Sequence, residues 1–116
     1  MNKIVGLILL VFLSFGVRAS HIMGGEITWE CIKDPLNPDV GKYIFTMKLY
    51  RDCDGISLPT NNQTLNVWNH PTVSTISLQF ISNTDISPDC DVTNSGNPAL
   101  DCFTNPVGAV EEYIYQ

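Results

Sequence analysis

The stretch GEITWECI, residues 25–32, alternates apolar and polar side chains along its whole length. Successive side chains of a strand point to opposite sides, so Ile27, Trp29 and Cys31 would share one face. The residues between them are polar and would share the other face. A period of two with one apolar face predicts a half-buried β-strand.

The same pattern recurs on the C-terminal side of this stretch, and loops rich in Pro, Asn, Asp and Gly separate the repeats. No segment after the N-terminal leader has helical periodicity. Residues 20–116 therefore predict one all-β domain, an antiparallel β-sandwich. Alternation continues to Gln116 without a closing turn, so we expect the domain to be incomplete at its C-terminus. The further predicted strands lie within KYIFTMKLY (42–50), QTLNVWN (63–69), TVSTISLQFIS (72–82) and AVEEYIYQ (109–116).

Residues 1–19 predict a secretory signal peptide. Lys3 supplies a basic start, residues 4–17 are almost wholly apolar, and small residues precede a cleavage point after Ala19. The apolar run is short and ends abruptly at Arg18, which is typical of a cleaved leader and not of a membrane span. We therefore expect export through the inner membrane, with no stable membrane span after cleavage.

The charge balance narrows the classes of partner. Cleavage would remove two of the six basic residues, Lys3 and Arg18, and none of the twelve acidic ones. Four basic residues would then face twelve acidic ones, a net charge of −8. Nucleic acids and anionic lipid surfaces demand a basic footprint, so neither is an expected partner. A surface ligand, a glycan or another protein remains open.

Four cysteines, Cys31, Cys53, Cys90 and Cys102, all follow the leader. An even number of cysteines in a small exported domain predicts disulfides, and the spacings do not match a zinc site. If the first two strands form a hairpin, Cys31 lies opposite Tyr43. Cys53 would then be about 33 Å away along the second strand, far beyond the ~7 Å between Cα atoms that a disulfide allows.

We therefore expect Cys53–Cys90 together with Cys31–Cys102. The turn near Pro71 would fold the fourth predicted strand back toward Cys53 and so favour the first of these pairs. The main competitor is Cys90–Cys102, which would close the long polar loop between the last two predicted strands.

Oxygen-bearing side chains in that loop are candidate calcium ligands: Asp85, Asp89, Asp91 and Asp101. A window starting at Asp91 partly matches an EF-hand loop, but its twelfth position is Cys102, where a glutamate is needed. The same residue types are also common turn formers. We therefore expect no cofactor, with calcium as the alternative that these side chains leave open.

Two histidines, His21 and His70, are the only candidates for an N-terminal copper site. Such a site requires the mature chain to begin at His21, and cleavage there would place Arg18 at the −3 position, which signal peptidase disfavours. His70 lies in an Asn-His-Pro sequence that is typical of a turn. A copper-dependent oxidase is therefore a weak alternative.

Catalysis has little support in the sequence. No Gly-x-Ser-x-Gly motif is present, and Glu111 and Glu112 are adjacent on a predicted strand, so their side chains point to opposite faces. We therefore expect a protein that is not an enzyme. Trp29 and Trp68 leave a carbohydrate-binding module open, although aromatic residues that alternate in strands more often belong to a core.

Three segments together resemble one family. SHIMGGEITWEC (20–31), YIFTMKLYRDCDG (43–55) and GAVEEYIYQ (108–116) resemble the N-terminal region of large gliding-motility-associated proteins of gliding Gram-negative bacteria. The resemblance implies immunoglobulin-like β domains, secretion through the type IX system, a location on the cell surface or in the medium, and an adhesive role. It implies no catalytic residues. Repeat domains and a sorting domain, which the family carries, do not occur in this sequence.

Overall fold

A computed structural model describes residues 21–88 and 99–116. Within them the chain forms six strands and no helix, so the predicted all-β antiparallel fold is confirmed. No described helix is therefore long or apolar enough to cross a membrane. The strands are β1 (Ile22–Cys31), β2 (Tyr43–Asp52), β3 (Gln63–Asn66), β4 (Thr75–Leu78), β5 (Phe80–Asp85) and β6 (Val110–Tyr115).

The strands form two antiparallel sheets. The larger has the order β1-β2-β6-β5, and the smaller pairs β3 with β4. We call the face of the larger sheet that packs against the smaller one the inner face. Its buried centre comprises Met47, Tyr113 and Tyr115, which meet Leu78 of β4 and Leu58 of the preceding loop. The layout is that of a small sandwich-like domain.

The first hairpin has the predicted register. Cys31 pairs with Tyr43, and the loop between them is held by the side chains of Asp34 and Asn37, which accept backbone N–H groups two residues ahead. Gly41 closes this loop with a φ of 85°, a conformation that glycine adopts without strain. The Asn and Asp residues of this loop therefore act as turn formers, as their type predicts.

The expected half-burial of β1 is wrong. Nine of its ten residues are exposed, on both faces, including Ile27 and Trp29. The reason lies in the second sheet, which consists of two four-residue strands within the described chain and packs mainly over β2 and β6. Strand β1 thus forms an edge of the larger sheet with its apolar side chains uncovered.

The predicted strand over residues 72–82 is in fact two strands. The break falls at Gln79, whose backbone exchanges hydrogen bonds with Gln116 at 2.7 and 2.8 Å. Before this point the chain pairs with β3, and after it the chain pairs with β6. Gln79 is therefore where the chain passes from the smaller sheet to the larger one.

The predicted disulfide pairing is also wrong. Cys53 is bonded to Cys102, with Cα atoms 5.1 Å apart, which rules out Cys53–Cys90, Cys31–Cys102 and the competitor Cys90–Cys102. Cys53 continues β2 past the start of β6, where its N–H donates to Ala109. The segment that leads into β6 carries Cys102, so antiparallel pairing brings the two sulfurs together. Cys31 has a free, half-buried thiol, and Cys90 lies outside the described residues.

Candidate functional site

An open apolar groove lies at the β1 side of the inner face. It has a volume of about 850 Å³, and we call it the β1 groove. Trp29 and Tyr43 are its most exposed aromatic side chains, at 67% and 59% of their accessible surface. Its lining residues are Trp29, Lys42, Tyr43, Phe45, Val67, His70, Val73 and Ile76.

The first wall of the groove follows from the register of the β1–β2 hairpin. Trp29 pairs directly with Phe45, and Ile27 pairs with Met47. Side chains of directly opposed residues lie on the same face of a sheet and contact each other. The burial decreases from Met47 toward Trp29, because the second sheet covers the middle of β2 and leaves β1 open.

The opposite wall is a turn between β3 and β4. Val67 donates its N–H to Ser74 at 2.8 Å, which closes the turn, and Asn69 takes a positive φ of 65°. The Nδ1 atom of His70 accepts the backbone N–H groups of Thr72 and Val73 at 3.2 and 2.9 Å. His70 is thus a turn-forming residue, as its sequence context predicts.

Few polar groups border the groove. Lys42 makes an exposed ion pair with Asp39 at 2.6 Å, and His70 has its Nδ1 committed to the turn. An exposed apolar groove with polar groups only at its rim is suited to binding an apolar or ring-shaped surface. It offers no arrangement of nucleophile and base for chemistry.

The structure separates the two histidines. The His21 backbone carbonyl pairs with Asp52 at the start of β1, whereas His70 lies beside Trp29 near its other end. His21 and Trp29 are eight positions apart in the sequence, about 26 Å of strand at ~3.3 Å per residue. A copper site that uses both side chains is therefore not formed in this structure.

The calcium candidates that the structure describes act as backbone caps. Asp85 accepts the N–H of Ser87 and the N–H of Cys102, at 2.9 and 2.8 Å. Asp101 accepts the N–H groups of Phe103 and Thr104 at 2.7 Å and the hydroxyl of Thr104.

Hydrogen bonds lower the pKa of both carboxyls, chiefly the hydroxyl of Ser87 at Asp85 and the hydroxyl of Thr104 at Asp101. Asp89 and Asp91 lie outside the described residues. Within residues 21–88 and 99–116, no three His, Cys, Asp or Glu side chains are placed to hold a metal ion. Calcium binding stays a prediction.

A buried ionic network lies on the inner face, at the end of the larger sheet that carries the disulfide. Nε and Nη2 of Arg51 donate to the same carboxylate oxygen of Glu111, at 2.8 and 2.7 Å. The other oxygen of Glu111 accepts the amide of Asn83 at 2.6 Å. Nη1 of Arg51 donates to the carbonyls of Asp52 and Gly55 at 3.1 and 2.9 Å. One guanidinium thereby ties β2 to β6 and to the turn that carries the disulfide.

The surroundings favour the charged form of this arginine. Burial alone would lower the pKa of Arg51, but hydrogen bonds and the charge of Glu111 outweigh it and raise the pKa above its ordinary value. The guanidinium also lies 5.9 Å from the ring centre of Tyr113, within cation–π range. These contacts indicate a structural role for Arg51 and not a catalytic one.

The sequence contains a signal for this pair. Arg51 follows Met47 and Leu49 at the spacing of two residues that keeps side chains on one face of a strand. Glu111 precedes Tyr113 and Tyr115 at the same spacing on β6. One arginine and one glutamate on otherwise apolar faces of two neighbouring strands are expected to meet, because a buried charge needs a partner.

The two tryptophans differ from the expected core aromatics. Trp29 is 67% exposed in the groove, and Trp68 is 84% exposed after β3, outside the groove lining. The buried aromatic side chains are instead Tyr113 and Tyr115, and the hydroxyl of Tyr115 donates to Pro59 at 2.8 Å. Burial of both tryptophans would have excluded a carbohydrate-binding role, and neither is buried.

A comparison of the chain with protein-family models, curated proteins and solved structures returns no match.

Proposed function

We propose that this protein is a non-enzymatic, exported binding domain that engages its partner through the β1 groove. The observation that carries the proposal is the exposure of Trp29, Tyr43 and Ile27 on the inner face, whose centre is buried. Large contiguous apolar patches that are exposed on a protein surface commonly mark binding sites. The signal-peptide pattern of residues 1–19 supports export.

The wider setting that we propose is the N-terminal β domain of a gliding-motility-associated, adhesin-like protein, secreted or held at the cell surface. Its support is the family resemblance of three segments, among them the pattern Tyr50-Arg51-Asp52-Cys53. Arg51 holds the turn after β2, and Cys53 anchors the loop before β6. A role in positioning these loops would give that pattern a structural reason.

Export is tested by expressing the full chain in a Gram-negative host and sequencing the N-terminus of the product. We expect a mature chain that begins at Ser20 and carries one disulfide between Cys53 and Cys102. A product that keeps Met1 and stays in the cytoplasm would contradict the export proposal.

A second candidate function is carbohydrate binding, which the exposure of both tryptophans supports. Exposed indole rings stack on sugar faces in the same way that they stack on other flat ligands. A glycan array with the parent protein and the Trp29→Ala and Trp68→Ala variants tests this function. Phe103→Ala is the matched control, because Phe103 is 90% exposed and lies away from the groove. Absence of glycan binding by the parent protein would remove this candidate, and binding that both tryptophan variants keep would exclude Trp29 and Trp68 as its site.

A further inference from the structure

Among the described residues, no segment pairs with the outer edge of β1. Strand β1 pairs with β2 on one side, and no described strand pairs with its other side. The N–H of Ile32 donates to the carbonyl oxygen of Lys42 at 2.9 Å, so it points to the side of β1 on which β2 lies. Backbone groups of successive strand residues point to alternate edges. The N–H and C=O groups that point to the open edge therefore belong to Gly25, Ile27, Trp29 and Cys31.

Three of these residues, Ile27, Trp29 and Cys31, also place their side chains on the inner face, the face that carries the groove. Ile27 and Trp29 are 49% and 67% exposed on the inner face. A strand added beside β1 would satisfy the free backbone groups and cover both side chains in one step. Known strand-addition complexes combine backbone hydrogen bonds for affinity with contacts to alternate side chains for specificity.

The charges on β1 indicate what such a strand contains. Glu26 and Glu30 lie on the outer face, on either side of Thr28. A residue of the added strand opposite each glutamate would share that face and lie within reach of it. Basic residues at those two positions complement the charge, and apolar residues between them would lie against Ile27 and Trp29. The complementary pattern is basic, apolar, polar, apolar, basic.

We propose that β1 binds an extended peptide segment of alternating basic and apolar residues, which pairs antiparallel with the open edge and extends the larger sheet. This inference rests on the proposed binding role of the β1 groove, and it does not depend on export or on adhesion. The partner is a protein segment of that chemistry, and a sugar is not required.

A second copy of this chain is a poor occupant. Antiparallel pairing of two β1 strands about Thr28 places Glu26 of each copy opposite Glu30 of the other copy. Like charges in directly opposed positions destabilise a sheet. Both copies would also be acidic, since the chain carries twelve acidic and six basic residues. Charged residues on an edge strand commonly protect it against self-association.

The other edge of the larger sheet is less suited to strand addition. Strand β5 has six residues, and its pairing with β6 is interrupted by an irregularity between Phe80 and Ser82. Strand β1 has ten residues and regular pairing from Gly24 to Cys31. A longer regular edge offers more consecutive hydrogen bonds to a partner.

The test uses the purified chain and a ten-residue synthetic peptide of alternating lysine and valine, with affinity followed by Trp29 fluorescence in a Trp68→Phe background. Two control peptides separate the contributions. One replaces every lysine with glutamate, and the other carries an N-methyl group on every valine, which blocks the backbone N–H groups that would face β1. We expect the first control to bind at least about tenfold more weakly, and the second by a similar factor.

Matched variants test the backbone of β1 itself. Ile27→Pro removes one N–H at the open edge without breaking the pairing with β2, since an edge strand accepts proline where its N–H faces solvent. Ile27→Ala removes the same side chain but keeps the N–H. We expect the proline variant to bind the lysine–valine peptide about fivefold more weakly than the alanine variant, the effect of one hydrogen bond. Circular dichroism of both variants verifies that they fold.

The outcomes are distinguishable. Slowed amide exchange at Ile27 and Trp29 on addition of the lysine–valine peptide supports strand addition. Equal binding of the N-methylated peptide, or equal affinities of the two Ile27 variants, overturns it even if the groove binds the peptide by side-chain contacts. Binding of glycans but not of the peptide would overturn it while leaving a binding role of the groove intact.

Discussion

Replacement of Arg51 by methionine is expected to be the most destabilising single polar substitution in this domain. Arg51 is 7% exposed, and Glu111 is 9% exposed. The substitution leaves the Glu111 carboxylate buried with Asn83 as its remaining partner, and it leaves the carbonyl of Gly55 without its donor. Removal of one member of a buried ion pair costs about 3–5 kcal/mol, because the other charge stays desolvated.

Such a loss is large for a domain of this size. Small domains unfold with a free energy of about 5–15 kcal/mol, so Arg51→Met would remove a third or more of a typical value. With a urea dependence of ~2 kcal/mol per molar, the midpoint of urea unfolding would fall by about 1.5–2.5 M. The measurement is equilibrium urea unfolding, followed by circular dichroism with the disulfide intact.

Lys48→Met is the matched control. Lys48 is also on β2 and bonds Glu112 of β6 at 3.2 Å, but on the opposite face, where the lysine side chain is 34% exposed. Partly exposed ion pairs contribute far less to stability than buried ones, so Lys48→Met should shift the urea midpoint much less than Arg51→Met. We also expect Arg51→Met/Glu111→Gln to recover about 1 kcal/mol or more relative to Arg51→Met, because the second change removes the unpaired charge. Equal effects of Arg51→Met and Lys48→Met would refute this reasoning.

Three further predictions follow from the described contacts. Removing the disulfide by Cys53→Ala/Cys102→Ala should lower the free energy of unfolding by ~4 kcal/mol, because the bond closes a loop of 49 residues. The control Cys31→Ser should change the free energy of unfolding by less than ~1 kcal/mol, and thermal unfolding compares the two variants. Gly25→Ala should lower the free energy of unfolding by about 1–3 kcal/mol, because a Cβ there would lie 2.8 Å from the Lys48 carbonyl oxygen. The control Gly24→Ala should be close to neutral in the same assay, because a Cβ at Gly24 meets no atom within 4 Å. The pKa of the Asp85 carboxyl is lower in the folded state than its ordinary value of 3.8. The hydrogen bond that this carboxylate accepts from the Cys102 N–H should therefore stabilise the loop at pH values above 3.8. This stabilisation should be lost as the pH falls through the pKa of the folded state. The protection factor of the Cys102 amide, measured relative to the intrinsic exchange rate at each pH, should show this loss between pH 5 and pH 2, and Asp85→Asn should abolish the pH dependence of that factor.

Local pattern was sufficient to predict the strands and the register of the first hairpin. Alternation in residues 42–50 placed Met47 and Leu49 on one face, and the turn chemistry around Asn37 fixed Cys31 opposite Tyr43. The period of two also separated Glu111 from Glu112, which bond different partners on opposite faces. These features depend on contacts between neighbours in sequence or across one turn.

Features that depend on the arrangement of whole sheets could not be predicted from pattern. The alternation around Trp29 shows that one face is apolar, but only the position of the smaller sheet decides whether that face is covered. The disulfide depended on β6 lying beside β2, which brings Cys102 to Cys53. The break at Gln79 likewise depended on a partner, Gln116, that is 37 residues away in the sequence.

The central claim is that β1 has an open edge and an uncovered apolar face that can receive a partner. Residue-resolved amide hydrogen exchange of the free protein tests it most directly. We predict slow exchange at Glu26, Thr28 and Glu30, because their N–H groups point toward β2. We predict fast exchange at Ile27 and Trp29, because their N–H groups point to the open edge. Uniformly slow exchange from Glu26 to Glu30 would show that another segment already covers this edge, and it would contradict the account.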